Sequence, residues 1–227
     1  MSESDAIDID DSEPAEAEFD GATPAPLPEL IAELLVEADL RITDYLKEHD
    51  GEAEGFVASD FVAVYRALTE LVASGAPPGG NFCEWGSGFG VIAMIASHVG
   101  FEAHGIELIP ELAEAANELA SDYDFDAEFV AGTFVPPDAE AREQSDRFLW
   151  DDGDADDGHE ALGVDIAEWD VVFAYPWPGE AWLVESVFAE GAAPGALLVT
   201  FEDGSGVRVR EKLETGELKE IEVSSEE

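Results

Sequence analysis

The chain has 227 residues, 55 acidic and 9 basic, for a formal net charge of −46, and 46% of it is hydrophobic. That hydrophobic content supports one full core of ordinary domain size. No apolar run reaches the roughly 20 residues that a membrane helix needs, and no basic patch is visible for direct contact with a nucleic-acid backbone.

The acids spread along nearly the whole chain, and the only lysines are Lys47, Lys212 and Lys219. Such a surface repels itself in dilute buffer and is screened in molar salt, which favours a salt-adapted protein over one tuned to a basic partner. The first residues are acidic and lack the basic and apolar regions of a secretory signal, so the expected location is cytoplasmic. The single cysteine, Cys83, has no partner for an intramolecular disulfide. No Cys/His metal set can be built around it, and no metal is expected.

Residues 1–25 are acidic, poor in large apolar groups, and read as a disordered leader. Residues 26–80 read as N-terminal helices covering the sheet that follows. Pro26 to Asp50 carries Leu27, Leu30, Ile31, Leu34, Leu35, Ala38, Ile42 and Leu46 at the 3–4 spacing of one buried helix face. Residues 50–55 form a turn. Ser59 or Asp60 caps a second helix whose Phe61, Val64, Tyr65, Leu68, Leu71 and Val72 face inward.

From residue 81 to 223 the pattern is a Rossmann-like domain. Strands are expected at about 81–85, 101–108, 127–131, 169–175 and 196–201. Helices are expected at about 89–99, from Pro110 to about Ser121, and at 179–190. This alternation predicts an α/β fold: an open, mostly parallel twisted sheet with helices on both faces. Two further strand-like runs after residue 201, joined by turns, predict antiparallel strands at the C-terminal edge. An acidic insertion, 136–167, breaks the alternation. Its R-E-Q-S-D-R-F-L-W segment suits a short helix carrying Phe148 and Trp150. Its Asp151–Asp157 cluster lacks the ordered ligand spacing of a calcium loop.

The first strand runs into Glu84-Trp-Gly86-Ser87-Gly88-Phe-Gly90. Glycines tolerate positive φ and let a ligand approach the backbone, and the following helix start offers free N–H groups. A dinucleotide fingerprint needs G-x-G-x-x-G, but position 91 is Val91. The acid at 84 suits an ammonium better than a phosphate. The pattern E-x-G-x-G-x-G resembles the first motif of the class I S-adenosylmethionine-dependent methyltransferases, and the likeness extends in order over residues 81–201.

That resemblance implies S-adenosylmethionine as cofactor, with Glu84, Gly86, Ser87, Gly88 and Gly90 at its methionine end. It places Glu107 on the ribose hydroxyls, a task that a carboxylate accepting from two vicinal hydroxyls performs well. Leu108 and Ile109 fall at the adenine face. Thr133 stands where many members carry an acid for the adenine amino group. The end of strand four, Ala174-Tyr175-Pro176-Trp177-Pro178, is reminiscent of the D/N/S-P-P-Y motif of amino-group methyltransferases but does not match it, so no amino-group substrate is implied.

From the residues themselves, the prolines stiffen this loop, and Tyr175 and Trp177 offer aromatic faces that can steady a sulfonium or a flat substrate. Tyr175 and Pro176 are therefore expected at the cofactor, with Trp177 beside them near the transferred methyl. Glu180 suits orienting or deprotonating a nucleophile. The plainer reading makes the loop a rigid turn with Trp177 and Trp182 in the core. The expected function is methyl transfer to an unidentified acceptor. The alternatives are a non-catalytic module that binds S-adenosylmethionine or S-adenosylhomocysteine, and, less well supported by the glycine spacing, a nucleotide-dependent oxidoreductase.

Overall fold

The computed structural model of the protein describes residues 25–49, 59–140, 155–177, 179–202 and 206–222. The expected leader 1–25 lies outside them apart from Ala25. So do the turn at 50–55, the R-E-Q-S-D-R-F-L-W segment and most of the Asp151–Asp157 cluster.

Helix α1 spans Glu29–Glu48, starting later than the Pro26 expected from periodicity. Pro28 is extended, with ψ 146°, and the residue before a proline is steered away from helical conformation, so the turn cannot begin earlier. Helix α2 spans Phe61–Ser74; Asp60 caps it by accepting from the Ala63 amide, and Gly75 ends it in the left-handed conformation. Two residues expected to face inward do not: Leu30 is 37% exposed and Val72 41%. Both sit at the flank of their apolar stripe.

Strands β1 (Asn81–Trp85), β2 (Glu102–Glu107), β3 (Ala127–Ala131), β4 (Val171–Ala174) and β5 (Leu197–Glu202) alternate with α3 (Val91–His98), α4 (Pro110–Asp122), a short α5 (Gly158–Leu162) and α6 (Ala181–Gly191). Strands β6 (Gly206–Lys212) and β7 (Leu218–Glu220) close the chain. Together they form one seven-stranded sheet in the order β3-β2-β1-β4-β5-β6-β7. The first five strands pair in parallel. β6 is antiparallel to β5, and β7 to β6. The expected fold class is the one observed.

Side-chain alternation along β1 divides the interior in two. Phe82 points to a core shared with α1, α2, α3 and α4. Cys83 and Trp85 point to a second core on the opposite face, built with Trp169, Ile166 and the Leu183–Phe188 stretch of α6. The two N-terminal helices therefore cover the same face as α3 and α4.

Beyond β3 the chain makes its own anchor. Thr133 and Asp157 form an isolated bridge, with Thr133 N–H donating to the Asp156 carbonyl and Gly158 N–H to the Thr133 carbonyl, both at 2.9 Å. This returns the linker to the sheet and seats α5 on the second face. There His159, 5% exposed, lies 3.1 Å from both the Phe134 carbonyl (through Nε2) and the Trp169 indole nitrogen (through Nδ1).

Candidate donor-binding site

The sheet order reverses direction between β1 and β4. In open α/β sheets, ligands bind outside the carboxyl ends of the strands at such a switch point. The glycine loop lies there. Gly86, Gly88 and Gly90 all have positive φ, at 71°, 53° and 71°, a region that side chains with a Cβ enter only at a cost of about 1–2 kcal/mol. Gly90 is doubly constrained, since a Cβ there would stand 2.3 Å from the Phe129 ring. The loop is tied down from the neighbouring strand: Gly86 and Ser87 N–H groups both donate to the Ile106 carbonyl, at 2.8 and 3.1 Å.

Two buried carboxylates organise this loop. Glu107, at the end of β2, accepts from the Gly88 amide at 2.7 Å and from the Ile109 amide at 2.9 Å. One carboxylate thus spans the glycine loop and the entry to α4, held at the sheet edge with 7% exposure. Burial pushes its pKa up against the pull of these amides. Glu84 also has a partner within the fold. Its Oε2 accepts from the Ala93 amide at 2.9 Å, in the first turn of α3, and so serves as a remote cap for a helix whose N-cap is a glycine without a side-chain bond. Burial, with Glu107 adding repulsion, holds its pKa well above the ordinary carboxylate range.

The remaining expected residues divide. Ser87 is buried in the loop, and its hydroxyl finds no partner among the described residues. Leu108 and Ile109 are partly buried between β2 and α4. Thr133 lies just beyond β3, where its Oγ1 accepts from the Val135 amide at 3.1 Å.

At the end of β4, Tyr175 packs edge-on to Phe201 with ring centroids 5.2 Å apart. Pro176 is buried, and Trp177 leans on the second core. Trp182, expected in that core, is 37% exposed instead, because the buried stripe of α6 runs through Leu183, Val184, Val187 and Phe188. Glu180 immediately precedes α6, and its Oε2 is buried without a partner among the described residues.

One neighbour of the site was missed in the sequence. Tyr45, in the last turn of α1, packs edge-on to Phe89 of the glycine loop, with ring centroids 5.8 Å apart. The signal was available: Tyr45 lies three residues after the buried Ile42, on the stripe that periodicity marks.

The residues present fit an aminoacyl sulfonium nucleoside on two observations. The three loop glycines all take positive φ, which keeps the turn free of side chains, and the buried Ser87 hydroxyl is left without a partner among the described residues. Among the described residues, no group of three or more His, Cys, Asp or Glu is arranged to hold a metal ion, and no helix is long and apolar enough to cross a membrane.

Neither a protein-family model nor a curated protein matches the chain. Solved structures that resemble it include an RNA methyltransferase from Salinibacter ruber in complex with S-adenosyl-L-homocysteine. That pair is 22% identical over 64% of this chain and 76% of the other, with a TM-score of 0.44. An O-methyltransferase from Bacillus cereus in complex with S-adenosylhomocysteine is 12% identical over 79% and 69%, with a TM-score of 0.49. A 16S rRNA methyltransferase from T. thermophilus, in complex with AdoMet and guanosine, is 17% identical over 65% and 35%, with a TM-score of 0.45.

Proposed function

We propose that the chain binds S-adenosylmethionine over the carboxyl ends of β1, β2 and β4 and transfers its methyl group to an acceptor not identified by these residues. One observation carries the reading. The Glu107 carboxylate is fixed by the Gly88 and Ile109 amides at the edge of a three-glycine loop, at the sheet's switch point.

When bound, S-adenosylmethionine supplies a methyl group on an electrophilic sulfonium. Glu107 accepts from vicinal ribose hydroxyls with the lone pairs that the two amides leave free. Gly86, Ser87, Gly88 and Gly90 let the methionine end approach the backbone. Tyr175, Pro176 and Trp177 form a stiff rim at the transfer edge. Glu180, with a buried carboxylate oxygen unclaimed by other described residues, is the group that takes a proton from an acceptor needing activation. Positioning and exclusion of water supply the rest.

Calorimetry in molar salt tests the donor site. Wild type is expected to bind S-adenosylhomocysteine, and Glu107→Ala and Gly88→Val to weaken it by roughly 10- to 100-fold, the range expected for losing hydrogen bonds to a charged group. Undiminished affinity in both variants sinks the assignment.

The packing of Tyr175 on Phe201 and of Trp177 on the second core favours a second reading, a module that binds the same ligand without catalysis. Incubation with methyl-labelled donor and cell extract separates the two: labelled acceptor supports the enzyme, and donor binding without label supports the module.

A further inference from the structure

The glycine loop is seated from the edge of the sheet. Glu84, Gly105 and Phe129 stand in register across β1, β2 and β3, so the three share one face, and Gly105 in the middle carries no side chain. The space above it is filled by others. A Cβ on Gly105 would stand 2.5 Å from Cδ1 and 2.8 Å from Cε1 of the Phe129 ring, and 2.8 Å from Cβ of Ser87. Gly105 has no positive φ to call for glycine. Its role is to admit a close approach: the ring from the edge strand lies across β2, beside the loop's Ser87.

The same ring edge reaches further. Its Cε1 and Cζ occupy the place where a side chain on Gly90 would go, and Gly90 is the residue that opens α3. One side chain of β3 therefore meets both Ser87 near the start of the loop and Gly90 at its close. The ring is buried, at 4% exposure, and its backbone is fixed from α4. Asn117 donates through Nδ2 to the Phe129 carbonyl at 2.7 Å, and its Oδ1 accepts from the Phe129 amide at 3.2 Å.

Resting on the donor-site reading above, we infer that Phe129 is a positioning residue of that site: its ring, passed across Gly105 and held by Asn117, sets the height of the glycine loop over the sheet. It acts through the loop and not by contact with the ligand. The Ile106 carbonyl holds the loop by the Gly86 and Ser87 N–H groups, and the ring props the same segment from the side of α4. A binding site keeps its geometry when the side chains behind it are locked by packing and hydrogen bonds, and here β3 and α4 supply that backing.

The test compares wild type with Phe129→Leu, which stays apolar but withdraws the ring edge from Gly90, and with Asn117→Ala, which keeps the ring and frees its backbone. Val187→Ala, in the second core, is the control for lost stability away from the loop. Two quantities are measured in molar salt. One is hydrogen exchange of the Gly86 and Ser87 amides without ligand, relative to that of Val172 in the central strand β4, which reports global opening. The other is affinity for S-adenosylhomocysteine by calorimetry. Phe129→Leu is expected to speed the relative exchange of both loop amides and to weaken binding roughly 3- to 10-fold, the worth of one hydrogen bond. Asn117→Ala should move both in the same direction by less, and Val187→Ala should move neither. Gly105→Ala is expected to weaken binding in wild type and to cost less in the Phe129→Leu background, where the ring no longer fills the space.

Unchanged affinity in both Phe129→Leu and Asn117→Ala overturns the proposal, whatever the exchange rates do. So does a loss that Val187→Ala matches, which makes it one of stability alone, and so does an equal cost of Gly105→Ala in the two backgrounds. If Phe129→Leu does not fold, Asn117→Ala decides by the same two readouts. Failure of wild type to bind S-adenosylhomocysteine is a separate result: it removes the donor site itself, and this proposal with it.

Discussion

His159 shows how a single buried residue ties stability to pH. Its ring has the indole N–H of Trp169 directed at Nδ1 and the Phe134 carbonyl beside Nε2. That arrangement suits the neutral tautomer with its proton on Nε2; protonating Nδ1 would set two donors against each other. Burial accordingly lowers its pKa below the ordinary value of 6.5. A histidine with a depressed folded pKa binds fewer protons folded than unfolded below about pH 6.5, so its contribution is full above that pH and fades as pH falls. Glu84 and Glu107, whose pKa values are raised, have the opposite sign and gain stability on acidification. The histidine's part is isolated by comparison: in molar salt, the urea midpoint should fall more between about pH 7.5 and 5.5 in wild type than in His159→Phe. Equal falls in both proteins would remove His159 from the account.

At the scale of elements, α6 and β6 are joined by two of the chain's few cations. Lys212 of β6 donates to the Ala192 carbonyl and lies 3.4 Å from that of Glu190, placing a cation at the C-terminal end of α6, where the helix dipole favours positive charge. Arg210 pairs with Glu185 of the same helix and reaches Thr200 at 3.3 Å. Replacing Lys212 by Met keeps the apolar stem and removes the cap; we expect a loss of about 1–2 kcal/mol by chemical denaturation, and no loss would refute the capping role.

None of this was visible in the sequence, where Lys212 is one lysine in a strand-like run and its partner carbonyls lie 20 and 22 residues away. The elements themselves were legible because their signals are local. A short apolar run ending at Glu84 marked β1, three glycines marked the loop, and Pro110 marked the start of α4. The hairpin of β6 on β5 followed from short turn-like connections. What local pattern could not supply was the partner of each buried polar group. Glu84 was read from its position in a motif, yet its hydrogen bond runs nine residues on to Ala93. Tyr45 meets its partner Phe89 across a tertiary contact between α1 and the loop.

For the whole molecule, a formal charge of −46 sets the conditions under which the fold is stable. Several of the described cations are already engaged: Arg41 with Glu37 and Asp122, Lys47 with Asp44, and Arg208 with Glu220. Exposed pairs of this kind are worth about 0–1 kcal/mol each, so screening them costs little, whereas screening the surplus of acids relieves repulsion over the entire surface. Raising KCl from about 0.1 M to 2 M shortens the Debye length from about 10 Å to under 3 Å. The thermal midpoint should therefore rise across that range; a flat or falling midpoint would show that the acids are not a folding burden. The sheet's last strand carries a different consequence. β7 has only three residues, two of them, Lys219 and Glu220, exposed and charged. A strand so short and so ionised is a poor template for another chain. The hairpin that ends the fold thereby guards against fibrillar stacking at the one moment the acidic surface offers least protection, when concentrated salt has silenced repulsion between molecules.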